Sequence, residues 1–310
     1  MMKFFIKPFC KINLFLDVLN KREDGFHEIL TLFQSIDLFD EIEAFESKEF
    51  NLKFFNNDYP IDPYNNTIFR SYKIFKESFL KKNNKGWVNF SFRVKKIIPS
   101  GAGLGGGSAD GATILNFLNY YYGYPFEDEE LKELSLIVGA DCPFLLEGGT
   151  ALGRGIGEKL QFFDIPLIEN LKVFIISPDL HISTKEAYNL LSKHLTKERK
   201  SYNIINSKMG YNHLKGSFKY FYNIFENAVF ERYPLLKDIK DRILRFNPLL
   251  SLMSGSGSSI YAIFENEEHF EQLKREFGGN RIFFTTPITR SRIKKESLTK
   301  IQEEEWKLPK

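Results

Sequence analysis

The chain has 310 residues, 43% hydrophobic and 27% charged, enough for one large domain or two ordinary ones, each with its own core, and too apolar for global disorder. Its net charge of +3, from 43 basic against 40 acidic residues, is too small to argue for a nucleic-acid-binding surface, although it leaves room for a local basic site for phosphates. Two cysteines are too few for a disulfide framework or a zinc site, and no apolar run approaches the ~18 residues of a membrane span.

In chain order, Lys3 to Leu19 reads as a strand pair or one long bent strand, with a polar interruption at Cys10-Lys11-Ile12-Asn13. Asp24-Gly25 marks a turn, and Ile29 to Phe39 and Asp40 to Phe45 read as further strands. Asn56 to Asn66 is a loop by composition. Thr67 to Leu80 carries apolar residues at Ile68, Tyr72, Phe75 and Phe79, which predicts a helix, and Val88 to Val94 alternates as a half-buried strand. Pro99 to Gly107 is glycine-rich; Ser108 and Asp110 open a helix with Ile114, Leu115, Leu118 and Tyr122 on its apolar side. Leu131 to Val138 reads as another helix, and Gly148 to Gly157 as a flexible end to a first domain. In the second half, Val173 to Ser177 is a short strand and Ser183-Thr184-Lys185-Glu186 is a capping box opening a helix with Tyr188 and Leu191. Ser201 to Ser217 reads as loop, Asn227 to Arg245 as helix, and Leu252 to Phe264 as strand, glycine-rich turn, strand. The tail from Arg292 is dominated by Lys, Glu and Gln and reads as a solvated helix or frayed end. Runs of strands and runs of helices favour α+β in two lobes, divided as 1–160, 161–290 and a charged tail 291–310. The 32 phenylalanines read as core filling, and Cys10 and Cys142, both in apolar segments, as reduced thiols of a cytoplasmic protein. Met1 to Ile6 is apolar but interrupted by Lys7 and Pro8, too short for a secretory core.

The most informative stretch is Pro99-Ser100-Gly101-Ala102-Gly103-Leu104-Gly105-Gly106-Gly107-Ser108. Its glycines free the backbone to approach a ligand closely. It feeds directly into a helix, whose free N–H groups and dipole favour an anion, phosphate above all. A P-loop would need a lysine after the glycines, and none follows. A dinucleotide fold should bring an acidic residue about twenty residues on, a place that Glu127 could fill only by accident from its turn. Asp141, in Gly139-Ala140-Asp141-Cys142-Pro143, is a carboxylate in an apolar setting, either functional or a cap. Lys11 is a cation between apolar neighbours, needing a partner there unless it lies on an exposed edge. His27 and Tyr188 admit structural readings as readily as functional ones.

Pro99 to Asp110 resembles the phosphate-binding motif of the GHMP kinases. Pro8-Phe9-Cys10-Lys11-Ile12-Asn13-Leu14 resembles their N-terminal motif, and Met253-Ser254-Gly255-Ser256-Gly257-Ser258-Ser259 their C-terminal glycine-rich motif. Four further stretches resemble the diphosphocytidyl-methylerythritol branch: Arg22 to Glu28, Gly139 to Phe144, Gly153 to Glu158, and Ile182 to Tyr188. The resemblance implies a ribosomal S5 domain 2-like N-terminal lobe and a ferredoxin-like C-terminal lobe. It implies ATP as phosphoryl donor, with Mg²⁺ bound mainly through the nucleotide and no dedicated protein metal site. The implied reaction is phosphorylation of the 2-hydroxyl of a small alcohol carrying a cytidine diphosphate group, in the non-mevalonate route to isoprenoid precursors.

By the same resemblance Lys11 and Asp141 are the catalytic residues. Pro99, Gly101, Ala102, Gly103, Leu104, Gly105, Gly106, Gly107 and Ser108 hold the ATP phosphates, and Asn66 and Lys96 contact the adenine side. Asn13, Phe26, His27, Thr184, Tyr188, Gly255, Ser256 and Gly257 form the acceptor side, with Phe26 and Tyr188 stacking on the base. The departures from the family pattern, Cys10, Gly111 and Ser258-Ser259, are small-for-small. The expected partner is the small-molecule substrate, with neither nucleic acid nor membrane, and the expected state a monomer or weak homodimer. A GHMP kinase for another alcohol, or a nucleotide- or RNA-binding module without turnover, remain the rival readings.

Overall fold

The computed structural model describes residues 2–55, 61–83, 86–163, 170–192, 216 and 218–301. The N-terminal lobe opens with two strands, β1 (Lys3–Ile6) and the long β2 (Phe9–Lys21), separated where Pro8 cannot donate to a ladder. The Asp24-Gly25 turn, with Gly25 at φ +87°, returns the chain as β3 (His27–Phe39). Next come β4 (Glu41–Ser47), β5 (Asn51–Phe55), α1 (Thr67–Lys82) and β6 (Asn89–Lys95). The glycine-rich segment then leads into α2 (Gly106–Tyr121), followed by α3 (Asp128–Val138) and α4 (Cys142–Glu147). The small residues around 150 make β7 (Thr150–Arg154), paired with β3 on one side and with β8 (Lys159–Phe162) on the other. The expected flexible joint is therefore a central strand: its glycine and alanine let it lie flat against Phe33, and a Cβ on Gly153 would stand 2.8 Å from that ring.

The C-terminal lobe contains β9 (Lys172–Ser177), α5 (Thr184–Ser192), a 3-10 turn (Phe218–Tyr220), α6 (Glu226–Arg232), α7 (Pro234–Leu244), β10 (Leu250–Met253), β11 (Ile260–Phe264), α8 (Phe270–Phe277) and β12 (Arg281–Thr285). Its antiparallel sheet runs β10-β11-β9-β12, the order of a ferredoxin-like fold. The single helix expected over 227–245 is broken at Tyr233, because Pro234 restricts the residue before it. Most of the expected loop 201–217, and residues 56–60 of the loop 56–66, lie outside the described residues.

The first part of the tail is not frayed: it is a helix with Ser291, Arg292, Lys294 and Lys295 exposed, followed by a strand. α9 (Arg290–Glu296) and β13 (Leu298–Ile301) return to the N-terminal lobe, and β13 pairs antiparallel with β1 at the end of the sheet β13-β1-β4-β6-β5. Arg292 ion-pairs Asp37 at 2.7 Å, which accounts for a charged segment lying down on the lobe.

Phenylalanines do fill cores. Phe75, Phe79, Phe90, Phe92 and Phe117 are essentially fully buried between that sheet and helices α1 and α2. A second cluster, with Ile12 and Leu14 of β2, Leu104, Val173 and Tyr261, lies where the two lobes meet. Strand β2 thus runs along the junction of the two lobes, and Lys11 and Asn13 lie on it.

Candidate active site

A cleft of about 1000 Å³ opens between the lobes, lined by the glycine-rich segment, strand β2, the turn before β3, Asp141, the start of α5, and Gly255-Ser256. Two turns pack on one another to form its floor. Gly103 has φ +79°, and a Cβ there would lie 1.9 Å from the Ser254 carbonyl oxygen, so only glycine fits. The carbonyls of the segment face inward: Ala102 accepts from the Ser259 N–H at 3.1 Å, Gly103 from Ser254 Oγ at 2.9 Å, and Leu104 from the Lys11 N–H at 3.1 Å. Gly105 caps α2 in a left-handed conformation with no side-chain cap, and the first turn contains no acidic residue. The N–H groups of Gly106, Gly107 and Ser108 belong to that first turn, where the helix supplies no partner, and they take the positive end of its dipole to the cleft. Leu104 itself is buried in the core.

Lys11 is 4% exposed, and its ammonium donates to Asn13 Oδ1 at 2.7 Å and stands 3.4 Å from Asp141 Oδ2. Asp141 precedes α4 but its carboxylate caps nothing, so the capping alternative does not apply; the carboxylate faces Lys11 across the cleft. Two residues far apart in sequence therefore meet beside the glycine-rich turn. Asn13 is oriented by donating to Thr31 Oγ1 at 2.8 Å, which in turn donates to the Phe15 carbonyl, and its second amide hydrogen remains for a ligand. Next to Asp141, the Cys142 thiol is pushed up to about 12 by burial and by that carboxylate, so it stays protonated.

The acceptor end has aromatic walls. His27 and Tyr188 stack on each other, 4.4 Å between centroids, and Phe225 meets Tyr188 edge to face. Tyr188 is thus not a free platform: its ring is packed from two directions, and burial followed by the Asp141 charge pushes its hydroxyl up to about 12. Phe26 is 57% exposed at the cleft edge, held by the turn through its N–H to Asp24 Oδ1. Burial, then the charge of Lys21, holds His27 below the usual histidine range. Thr184 Oγ1 lies 3.4 Å from Ser256 Oγ, joining α5 to the second glycine-rich turn.

The structure gives two expected adenine contacts other work. Asn66 caps α1, accepting from the Phe69 N–H at 3.0 Å and donating to the Asp62 carbonyl at 2.7 Å. Lys96 is buried between Asp40 and Asp110 and does not line the cleft. Other residues emerge that the sequence reading passed over. His181 packs on Gly101, where a Cβ would come within 2.2 Å of its ring, and Lys21 and Lys185 add positive charge to the lining. Asn223 donates to the carbonyls of Met253 and Gly255, both at 2.7 Å, and Glu226 accepts from the Met253 N–H at 2.7 Å. Lys185 was legible as a charge within a quoted motif, and Lys21 adjoins another; Asn223, inside an aromatic run, gave no signal.

Residues 66–149 match the family model of the GHMP kinases N terminal domain, and residues 195–280 that of the GHMP kinases C terminal. The chain is 39% identical over 258 residues to the 4-diphosphocytidyl-2-C-methyl-D-erythritol kinase of Carboxydothermus hydrogenoformans, covering 83% of this chain and 87% of that relative. It is 37% identical over 306 residues to the kinase of the same name from Thermoanaerobacter pseudethanolicus, covering 93% and 97%. A crystal structure of 4-(cytidine 5'-diphospho)-2C-methyl-D-erythritol kinase is similar with TM-score 0.71 at 26% identity, covering 91% of this chain and 98% of that one. A homoserine kinase from Cytophaga hutchinsonii, TM-score 0.62 at 19% identity over 97% of both chains, shares the fold.

Proposed function

The chain belongs to the GHMP kinases, in the family of 4-diphosphocytidyl-2-C-methyl-D-erythritol kinases, and from that premise we propose that it moves the γ-phosphoryl of ATP onto the 2-hydroxyl of 4-diphosphocytidyl-2-C-methyl-D-erythritol. The products are ADP and the 2-phosphate. The observation that carries the reading is the approach of Lys11 to Asp141, 3.4 Å apart, beside a helix N-terminus that no side chain caps.

Phosphoryl transfer asks the protein mainly for position and charge. The first-turn N–H groups of α2 hold the triphosphate. Asp141 accepts the proton of the acceptor hydroxyl, while Lys11, 3.4 Å away, offsets the charge developing on the transferred group. Asn13, fixed by Lys11 and Thr31, orients the hydroxyl. Mg²⁺ carried by the nucleotide would neutralise phosphate charge; among the described residues no group of three or more acidic, histidine or cysteine side chains could hold it by itself.

At the other end, His27 reads the cytosine edge by hydrogen bonding as a neutral imidazole. The base lies against the exposed ring of Phe26, and the His27–Tyr188 stack forms the wall behind. Thr184 and the turn at Gly255-Ser256-Gly257 shape the acceptor side. Among the described residues no helix is long and apolar enough to cross a membrane.

The test is an acceptor screen with purified protein and ATP, scored by ADP formation and by phosphorus NMR of the product. The diphosphocytidyl alcohol is expected to be the preferred acceptor; preference for homoserine or mevalonate would reject the assignment.

A further inference from the structure

Behind the glycine-rich turn lies a group of charges that takes no part in the chemistry above. Asp40, just after β3, is completely buried; Lys96, just after β6, is 6% exposed; Asp110, in the second turn of α2, is 3% exposed. The Lys96 ammonium meets both carboxylates, Asp110 at 2.7 Å. The second oxygen of Asp40 accepts the backbone N–H groups of Ile97 and Ile98, the latter at 2.9 Å. One buried cation is thereby tied to the backbone that enters the turn and to the helix that leaves it. The two ends are also in close contact, since a Cβ on Gly106 would lie 2.8 Å from Ile98 Cγ2.

Charges of this kind are poor stabilisers. Well-packed apolar side chains in their place are often as good or better, so stability does not account for them. They do fix geometry. A segment with glycine at 101, 103, 105, 106 and 107 has much backbone freedom to lose on gripping an anion. Closing its stem beforehand removes part of that loss from the binding step.

We propose that Lys96, Asp40 and Asp110 form a clasp that closes the stem of the phosphate-binding turn, and that this clasp sets affinity for the phosphates of ATP and not for the acceptor. These are positioning residues, acting through the backbone of residues 97–110. The inference rests on the reading of residues 101–108 as the ATP phosphate site. Burial, helped by Asp40 and opposed by Lys96, pushes the Asp110 carboxyl up to about 8, so a neutral side chain with one oxygen can serve at that position.

The test variant is Asp110→Ala, which cuts the tie to α2 and leaves Lys96 and Asp40 as a balanced pair. The expected result is a folded protein whose KM for ATP rises about tenfold while KM for the diphosphocytidyl acceptor changes less than about twofold. Titration calorimetry with ADP should show the same loss. Asp110→Asn, which returns an oxygen to Lys96, should recover most of the ATP affinity. An unchanged KM for ATP in Asp110→Ala, an equal rise in both KM values, no recovery in Asp110→Asn, or an Asp110→Ala protein that does not fold would each overturn the clasp. In those cases the wild-type protein still binds ATP; wild-type protein that binds no ATP would overturn the kinase reading and the clasp together.

Discussion

The cleft is framed by two glycine-rich turns that touch each other and are held in different ways. The turn at 99–105 is fastened from behind by the buried Lys96 with two carboxylates, and its carbonyls point inward to Ser254, Ser259 and Lys11. The turn at 254–257 is fastened by an amide and a carboxylate: Asn223 takes the carbonyls of Met253 and Gly255, and Glu226, paired with Lys240 at 2.6 Å, takes the Met253 N–H. The difference follows from what each turn presents. The first must show free N–H groups to an anion, so its carbonyls are consumed elsewhere and its anchoring charges are kept out of the cleft. The second is a wall, and needs only to be still.

The contrast is broken most severely at the pair both turns enclose. Asp141→Asn should lower kcat by about a thousandfold or more while leaving ATP affinity near that of the wild type, because it removes the proton acceptor and not the phosphate contacts. Steady-state kinetics beside ADP titration checks this, and near-normal turnover would take Asp141 out of the mechanism. A smaller effect should follow at the neutral fastening. Asn223→Ala leaves two buried carbonyls without their donor, at about 1–3 kcal/mol each. Thermal unfolding should show a lower Tm, and kcat/KM for the acceptor should fall more than KM for ATP rises, the opposite of the pattern expected for Asp110→Ala.

His27→Ala should raise KM for the acceptor about tenfold, the worth of one hydrogen bond, with KM for ATP unchanged. Its pH dependence sharpens the point. Because burial and Lys21 hold His27 below the usual histidine range, the ring is neutral at pH 7. Acceptor KM should be flat through neutral pH, rise on acidification only beneath the ordinary histidine value of about 6.5, and lose that rise in His27→Ala. The mildest change is Gly111→Ala in α2. Helix propensity alone favours alanine by about 1 kcal/mol. Yet a Cβ there would stand 2.9 Å from Ser71 Oγ and 3.1 Å from both Thr67 and Val138, so a lower Tm is expected in denaturation measurements.

Much of this was readable beforehand, for physical reasons. The α1 helix and the β6 strand announced themselves by periodicity, and the first glycine-rich turn by a density of glycine that packing alone does not require. The meeting of Lys11 with Asp141 followed from motif order, not from any local property, since 130 positions of chain separate them. Lys96 was carried over from the family pattern as an adenine-side contact; its two carboxylates come from sequence positions 40 and 110, and nothing local reveals them. Tyr188 was read either as a stacking platform or as a core residue; its packing against His27 and Phe225 is a tertiary event that the sequence could not decide. The segment after Arg292 was dismissed on composition, although β13 needs only four residues and backbone hydrogen bonds to join a sheet.

That last strand has a consequence for synthesis of the protein. Leu298–Ile301 covers the outer edge of β1, and it can do so only after every residue between the two strands has been translated. Until then Lys3–Ile6 presents unsatisfied amides and carbonyls to its surroundings, an edge to which nascent neighbours on a crowded polysome can add. The closing strand is thus a late-arriving guard against self-association during birth.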